Sequence, residues 1–219
     1  FETTVGVVID GCPSGLDLSE KDLQYELDRR RPGQSKITTQ RKESDKARIL
    51  SGVFDGRTTG TAISVMVAND DARPKAYDHL KDLYRPSHAD YTYEKKFGLR
   101  DWKGGGRSSA RETVARVAAG AVAKKLLNHW GNIRTIAWVE QIHEIKSRVD
   151  KNTINANKIE NSIVRCPDDV ASNAMTKLIL KVRKSGDSVG GIIRAVVRNV
   201  PVGLGEPVFD KLTADLSKA

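Results

Sequence analysis

Gly104-Gly105-Gly106-Arg107-Ser108-Ser109-Ala110-Arg111-Glu112-Thr113-Val114-Ala115-Arg116-Val117-Ala118-Ala119-Gly120-Ala121, GGGRSSARETVARVAAGA, runs a glycine-rich loop straight into a helical pattern. Ser109-Ala110-Arg111-Glu112 has the S-x-x-E form of a capping box, in which hydroxyl and carboxylate each satisfy a backbone donor of the first turn. Beyond it Val114, Val117, Ala121 and Val122 share one face, and the Ala/Gly run 118–123 lets other elements approach closely. The glycines allow a backbone to come near a ligand. Unpaired N–H groups and the dipole at a helix start favour negative charge, and two hydroxyls and two guanidiniums add donors. Such a place suits a phosphate or a carboxylate, although an ordinary capped helix after a flexible loop has the same pattern. It is neither a P-loop, since G-K-[ST] is missing, nor the G-x-G-x-x-G dinucleotide fingerprint.

Towards the N-terminus, Val5 to Asp10 is a short β-branched run that reads as a buried strand, ending in the turn cluster 11–15. A helix follows, with Ser19 as N-cap, Leu18 stapled onto Leu23, Leu23 and Leu27 on one face, and Arg29, Arg30 and Arg31 at its negative end. Pro32-Gly33 stops it. Residues 34–45 are polar and basic and read as an exposed loop or edge hairpin. Residues 47–54 and 60–69 read as strands joined by a turn at Asp55-Gly56, and a short helix is expected near 77–83. From Arg85 to Gly106 no periodicity appears, and a loop of that length is often functional.

Towards the C-terminus, 133–145 reads as a strand and 154–163 has no clear pattern. Asp168 is placed to cap a helix carrying Val170, Ala174, Leu178 and Val182, closed by Gly186. A strand is expected at 192–200, then a turn-rich loop at 201–207 and a helix from Phe209. Strands and helices mix without a regular βαβ rhythm, so one α+β domain over 1–219 is the expected organisation.

Composition narrows the function. The 219 residues are 38% apolar and 30% charged, as in a globular protein, and no apolar run is long enough to span a membrane. Cys12 and Cys166 are too few for a disulfide framework or a multi-cysteine zinc site, which fits a reducing compartment. The 37 Lys and Arg against 28 Asp and Glu leave a formal charge of +9, which attracts anions. Aromatics are only 5%, thin for a surface that stacks bases.

Two further segments can carry chemistry. Arg29-Arg30-Arg31-Pro32-Gly33-Gln34-Ser35-Lys36 packs four cations into eight positions, and arginine forks hold carboxylate and phosphate. A solvated helix end would carry the same run. Arg85-Pro86-Ser87-His88-Ala89-Asp90-Tyr91-Thr92-Tyr93 places His88, a group able to give or take a proton near neutral pH, in an irregular stretch. A histidine bonded only within its own loop would read the same. His79, His129 and His143 lack metal-ligand spacing, no H-E-x-x-H or G-x-S-x-G occurs, and no metal is expected.

In order along the chain, VGVVIDGCPSG (5–15), RRRPGQSK (29–36), RPSHADYTY (85–93), GGGRSSARETVARVAAGA (104–121), DSVGG (187–191) and GLGEPVFDKL (203–212) together resemble the chorismate synthase family. The resemblance implies a layered β-α-β sandwich of α+β class and a homotetramer. It also implies a carbon–oxygen lyase of the shikimate pathway, in aromatic amino acid biosynthesis. The reaction implied is an anti-1,4 elimination of phosphate from 5-enolpyruvylshikimate 3-phosphate, giving chorismate, with reduced FMN (FMNH2) required and NADPH reducing the flavin in some members. Neither nucleic acid nor membrane is an expected partner. The compartment implied is the cytoplasm, with plastid forms in the family.

By the same resemblance, Arg107, Ser108 and Ser109 fall on the FMN-contacting segment. Arg30, Lys36 and Arg111 fall on positions for substrate or NADP anions. Lys36 stands where an arginine is common, keeping the charge and losing the fork. His88 falls on the histidine proposed to protonate reduced flavin. The family also carries F-G-E-S-H-G where Thr4 here meets Val5, and a long part with R-x-D beyond the position of Ala219. Disorder in a cofactor-free state is the expectation for both. The alternatives are a basic nucleic-acid-binding module, which predicts steep salt dependence, and a non-catalytic remnant of the enzyme family.

Overall fold

A computed structural model describes residues 3–39, 43–69, 74–104, 106–206 and 208–218. The chain divides into two compact units, 1–123 and 124–219.

In the first unit β1 (Thr4–Ile9), β2 (Ala47–Ser51) and β5 (Ile63–Ala68) form an antiparallel sheet in the order β1-β5-β2. Alternation sorts its faces. Val5, Ala47, Ile63, Val65 and Val67 are buried, whereas Gly6 and Val8 are exposed. The strand expected over 47–54 is interrupted at Gly52. Its φ is +78°, and a side chain there would meet the Ala62 carbonyl oxygen at 2.7 Å. Beyond it β3 (Val53–Phe54) and β4 (Arg57–Thr58) make a small hairpin on the expected Asp55-Gly56 turn.

Helix α1 (Glu20–Arg30) starts at Ser19, whose backbone N–H donates to Asp22 Oδ2 at 2.8 Å, and buries Leu23 and Leu27 as their spacing requires. Its side chains also reach the edge strand. Gln24 Oε1 accepts from the Ala47 N–H at 3.1 Å and Glu20 Oε1 from the Ile49 N–H at 3.2 Å, satisfying edge donors of β2.

Four expectations change here. Loop 34–45 is not wholly exposed, because Glu43 and Asp45 are buried. The short helix expected near 77–83 is a 3-10 helix over Pro74–Leu80. The aperiodic stretch 85–106 contains α2 (Asp90–Phe97), closed by Gly98 at φ +71°. Apart from Asp90 no residue of α2 is buried, so it carries no apolar period to read. The helix expected from Ser109 begins as a 3-10 turn over Ala110–Glu112, and α3 (Thr113–Gly131) follows with Val114, Ala118, Ala121 and Val122 buried.

In the second unit β6 (Arg134–Ile142) pairs with β7 (Ile145–Lys146) and β8 (Gly191–Arg198), giving the order β7-β6-β8. Buried Trp138, Ile154 and Ile159 form its core with Ile136, Val149 and Val196 against them. Helix α4 (Ala156–Asn161) lies in the stretch that had no clear pattern, and α6 (Leu212–Lys218) lies in the expected C-terminal helix. Asp168 caps α5 (Asp169–Lys184), accepting from the Ala171 N–H at 3.1 Å, and its backbone bonds from Arg148 and Ala171 hold its carboxyl below the usual range. The buried face of α5 is not the expected one. Ala171, Ser172 and Met175 are inside and Val170 is exposed. The buried Ser172 hydroxyl has a partner that sequence periodicity does not show, Ser162 Oγ at 2.8 Å. Cys12 and Cys166 are free and buried, and burial pushes the Cys166 thiol up.

Candidate functional site

Four of the anticipated residues, Arg107, Ser108, Ser109 and Arg111, come from one segment. Gly106 turns the chain at φ +48°, where a Cβ would stand 3.0 Å from that of Asp101, and opens a 3-10 turn carrying Arg107 and Ser108. Gly105 lies outside the described residues. Ser109 Oγ accepts from the Arg111 N–H at 3.3 Å, one donor earlier than the expected capping box. The Glu112 carboxylate faces Arg107 at 3.3 Å.

Alternate arginines of this segment go to different places. Arg107 stays 71% exposed and lines a hollow of about 600 Å³. Thr4, Gly6, Val8, Ser64 and Met66, from the open face of the sheet, form its floor, and Glu112, Ala115, Arg116 and Ala119 its other wall. At Gly6 the floor is bare backbone, since a side chain would press on the Val65 carbonyl oxygen at 2.6 Å.

Arg111 turns inward. Its Nη1 donates to Asp45 Oδ1 at 2.6 Å, its Nη2 to the Ala68 carbonyl at 3.1 Å, and Glu43 Oε2 lies 3.5 Å from Nη2. Arg30, from the last turn of α1, donates through Nη1 to Asp45 Oδ2 at 2.8 Å. Asp45 is fully buried and sits at φ +45°. Arg30 and Arg111 are thus brought together on one carboxylate that sequence reasoning did not single out. Lys36 is exposed on the turn-rich loop after α1.

His88 belongs to a second cluster, built on Asp90, which is 2% exposed. Asp90 receives the Arg85 backbone N–H at 3.0 Å, Arg85 Nε at 2.8 Å and Arg85 Nη2 at 2.9 Å. The Arg85 hydrogen bonds hold the Asp90 carboxyl well below the usual carboxylate range, and Asp90 in turn raises Arg85. His88 Nδ1 lies 2.8 Å from Asp90 Oδ1 and 3.1 Å from Arg85 Nη2. An ionised carboxylate only accepts and a guanidinium only donates, so Nδ1 carries its proton when it bonds to Asp90 and accepts when it bonds to Arg85. Buried Arg100 braces the cluster, its Nη2 donating to the carbonyls of Leu80, Lys81 and Leu83 at 2.7–3.0 Å. Asp90 was visible inside RPSHADYTY, but only as a neighbour of His88. Nothing in the sequence marked Arg100.

Fold and site define an α+β protein in which Arg107 and Arg116, with the Thr4 and Ser64 side chains, line a hollow over one face of the sheet. The family model described as chorismate synthase matches residues 2–219. The chorismate synthase of Nostoc punctiforme is 57% identical over 214 residues, which are 98% of this chain and 59% of that protein. That of Synechocystis sp. is 55% identical over 215 residues, again 98% and 59%. A crystal structure of chorismate synthase superposes with a TM-score of 0.71 at 30% identity, covering 94% of this chain and 57% of that one. This chain belongs to the chorismate synthase family. It spans about three-fifths of the length of the curated relatives it matches. Among the described residues no helix is long and apolar enough to cross a membrane.

Proposed function

We propose that the full-length protein is a chorismate synthase: it eliminates phosphate, anti and 1,4, from 5-enolpyruvylshikimate 3-phosphate to give chorismate, with reduced FMN as cofactor, the flavin being reduced by NADPH or by a separate reductase. The observation that carries this reading is 57% identity to a chorismate synthase along 98% of the chain. A homotetramer in the cytoplasm completes the proposal, and two buried free cysteines are in keeping with a reducing compartment.

The donor set fits a flavin nucleotide. The hollow is within the volume range of small-ligand sites, and Gly6 leaves its floor flat beside Val8 and Met66. Arg107 supplies an exposed guanidinium at its rim, with Ser108 and Ser109 next in the chain. Reduced FMN, when bound, supplies electron density that weakens the allylic C–O bond to phosphate.

The remaining work falls to side chains of this chain. Arg107, Ser108 and Ser109 bind the flavin phosphate or its neighbourhood. Arg30, Lys36 and Arg111 bind the phosphate and carboxylates of the substrate, or the phosphates of NADPH. His88 is the proton carrier, its ring held at Nδ1 between Asp90 and Arg85. The test is genetic. The full-length gene should restore growth without aromatic amino acids to a bacterium lacking its own chorismate-forming enzyme. No growth, with soluble protein present, would overturn the reading.

A further inference from the structure

Asp45 accepts from Arg30, 15 residues away, and from Arg111, 66 residues away, one guanidinium on each oxygen. Two cations with one anion between them would leave an excess charge, and Glu43, 3.5 Å from Arg111, balances it. The group is therefore neutral before any ligand arrives, so what it offers an anion is geometry rather than net charge. The arginine side chains retain 22% and 14% exposure while Asp45 has none. Both arginine side chains thus stay partly open beside a carboxylate that is closed off from solvent. Arg111 Nε is buried without a hydrogen-bond partner, a donor in excess of what the fold uses. Asp45 also holds a left-handed backbone at φ +45°, a conformation with a cost. A buried ion group is seldom more stable than the apolar packing that could replace it, so stability alone is a weak reason for this one.

We propose that Asp45 is a positioning residue: it sets Arg30 and Arg111 as one rigid pair for a phosphate or carboxylate of the substrate. The proposal rests on the chorismate synthase reading. Asp45→Asn keeps the shape but turns an N–H toward one of the two arginines and releases it. Asp45→Gly removes the carboxylate and suits the backbone, so the two variants cover each other's risk of misfolding. Calorimetric titration of the full-length protein with 5-enolpyruvylshikimate 3-phosphate should show Kd raised about 10- to 100-fold in either folded variant, the loss of one charge-assisted hydrogen bond. The FMN Kd should stay within about twofold, because Arg107 is not held by Asp45. Substrate Kd within about threefold of wild type in a folded variant overturns the proposal. So does a parallel loss of both affinities, which means general loosening. A wild type that neither binds nor converts the substrate sinks the underlying reading, and this inference with it.

Discussion

Asp45 and Asp90 are both buried carboxylates that hold arginines, yet they are assembled in opposite ways. Asp90 gathers Arg85 and His88 from the five residues before it, together with Arg100 shortly after its helix. Asp45 gathers Arg30 from α1 and Arg111 from the segment before α3. A local cluster is organised almost as soon as its turn forms. A long-range cluster exists only once sheet and helices have come together, and its geometry reports on the whole unit. On the proposed reading the first handles a proton and the second holds an anion, so damage to each should appear in a different constant.

The largest effect that can break this division is on turnover. His88→Ala in the full-length protein should lower kcat by about 10²–10⁴-fold with little change in substrate Kd, measured by steady-state kinetics beside calorimetry. A substrate Kd that rises as kcat falls would place His88 in binding instead. Next in size, Asp90→Ala leaves Arg85 without its buried counter-charge, while Arg100 keeps Glu94, and should cost about 3–5 kcal/mol in denaturant unfolding.

Acid should probe the same carboxylate. Its folded pKa is depressed by Arg85, so its stabilisation is fully present above the unfolded value of about 4 and is lost as pH falls from there towards the folded value. Asp90→Asn should flatten that part of the stability-against-pH curve, and an unchanged slope would contradict the assignment. Arg107→Ala should weaken FMN by about 10- to 100-fold and leave substrate Kd within about twofold, read by flavin fluorescence. The smallest effect tests the α5 phase. Val170→Ala should shift stability by no more than about 0.5 kcal/mol, against about 2–5 kcal/mol for Met175→Ala.

The same contrast sets what could be read from sequence. Features written within a few residues were legible: β1, the Ser19 and Asp168 caps, the Leu23–Leu27 face, and the segments carrying His88 and Arg107. Asp45 was not, because its partners lie far along the chain and its neighbours are polar, so it looked like part of an exposed loop. Helix α2 was hidden because it buries one aspartate and no apolar stripe. The α5 face was misjudged because a serine, Ser172, shares its buried side with Ala171 and Met175, held there by Ser162 from outside the helix. Residue types able to bind an anion or carry a proton were thus visible one segment at a time, and the carboxylates they pack against emerged from the packing.

The central claim meets its most direct test in a stoichiometric assay. Full-length protein, 5-enolpyruvylshikimate 3-phosphate and FMN kept reduced without oxygen should yield chorismate and inorganic phosphate one for one, and neither when FMN is oxidised. Folded protein that releases no phosphate under those conditions would contradict it.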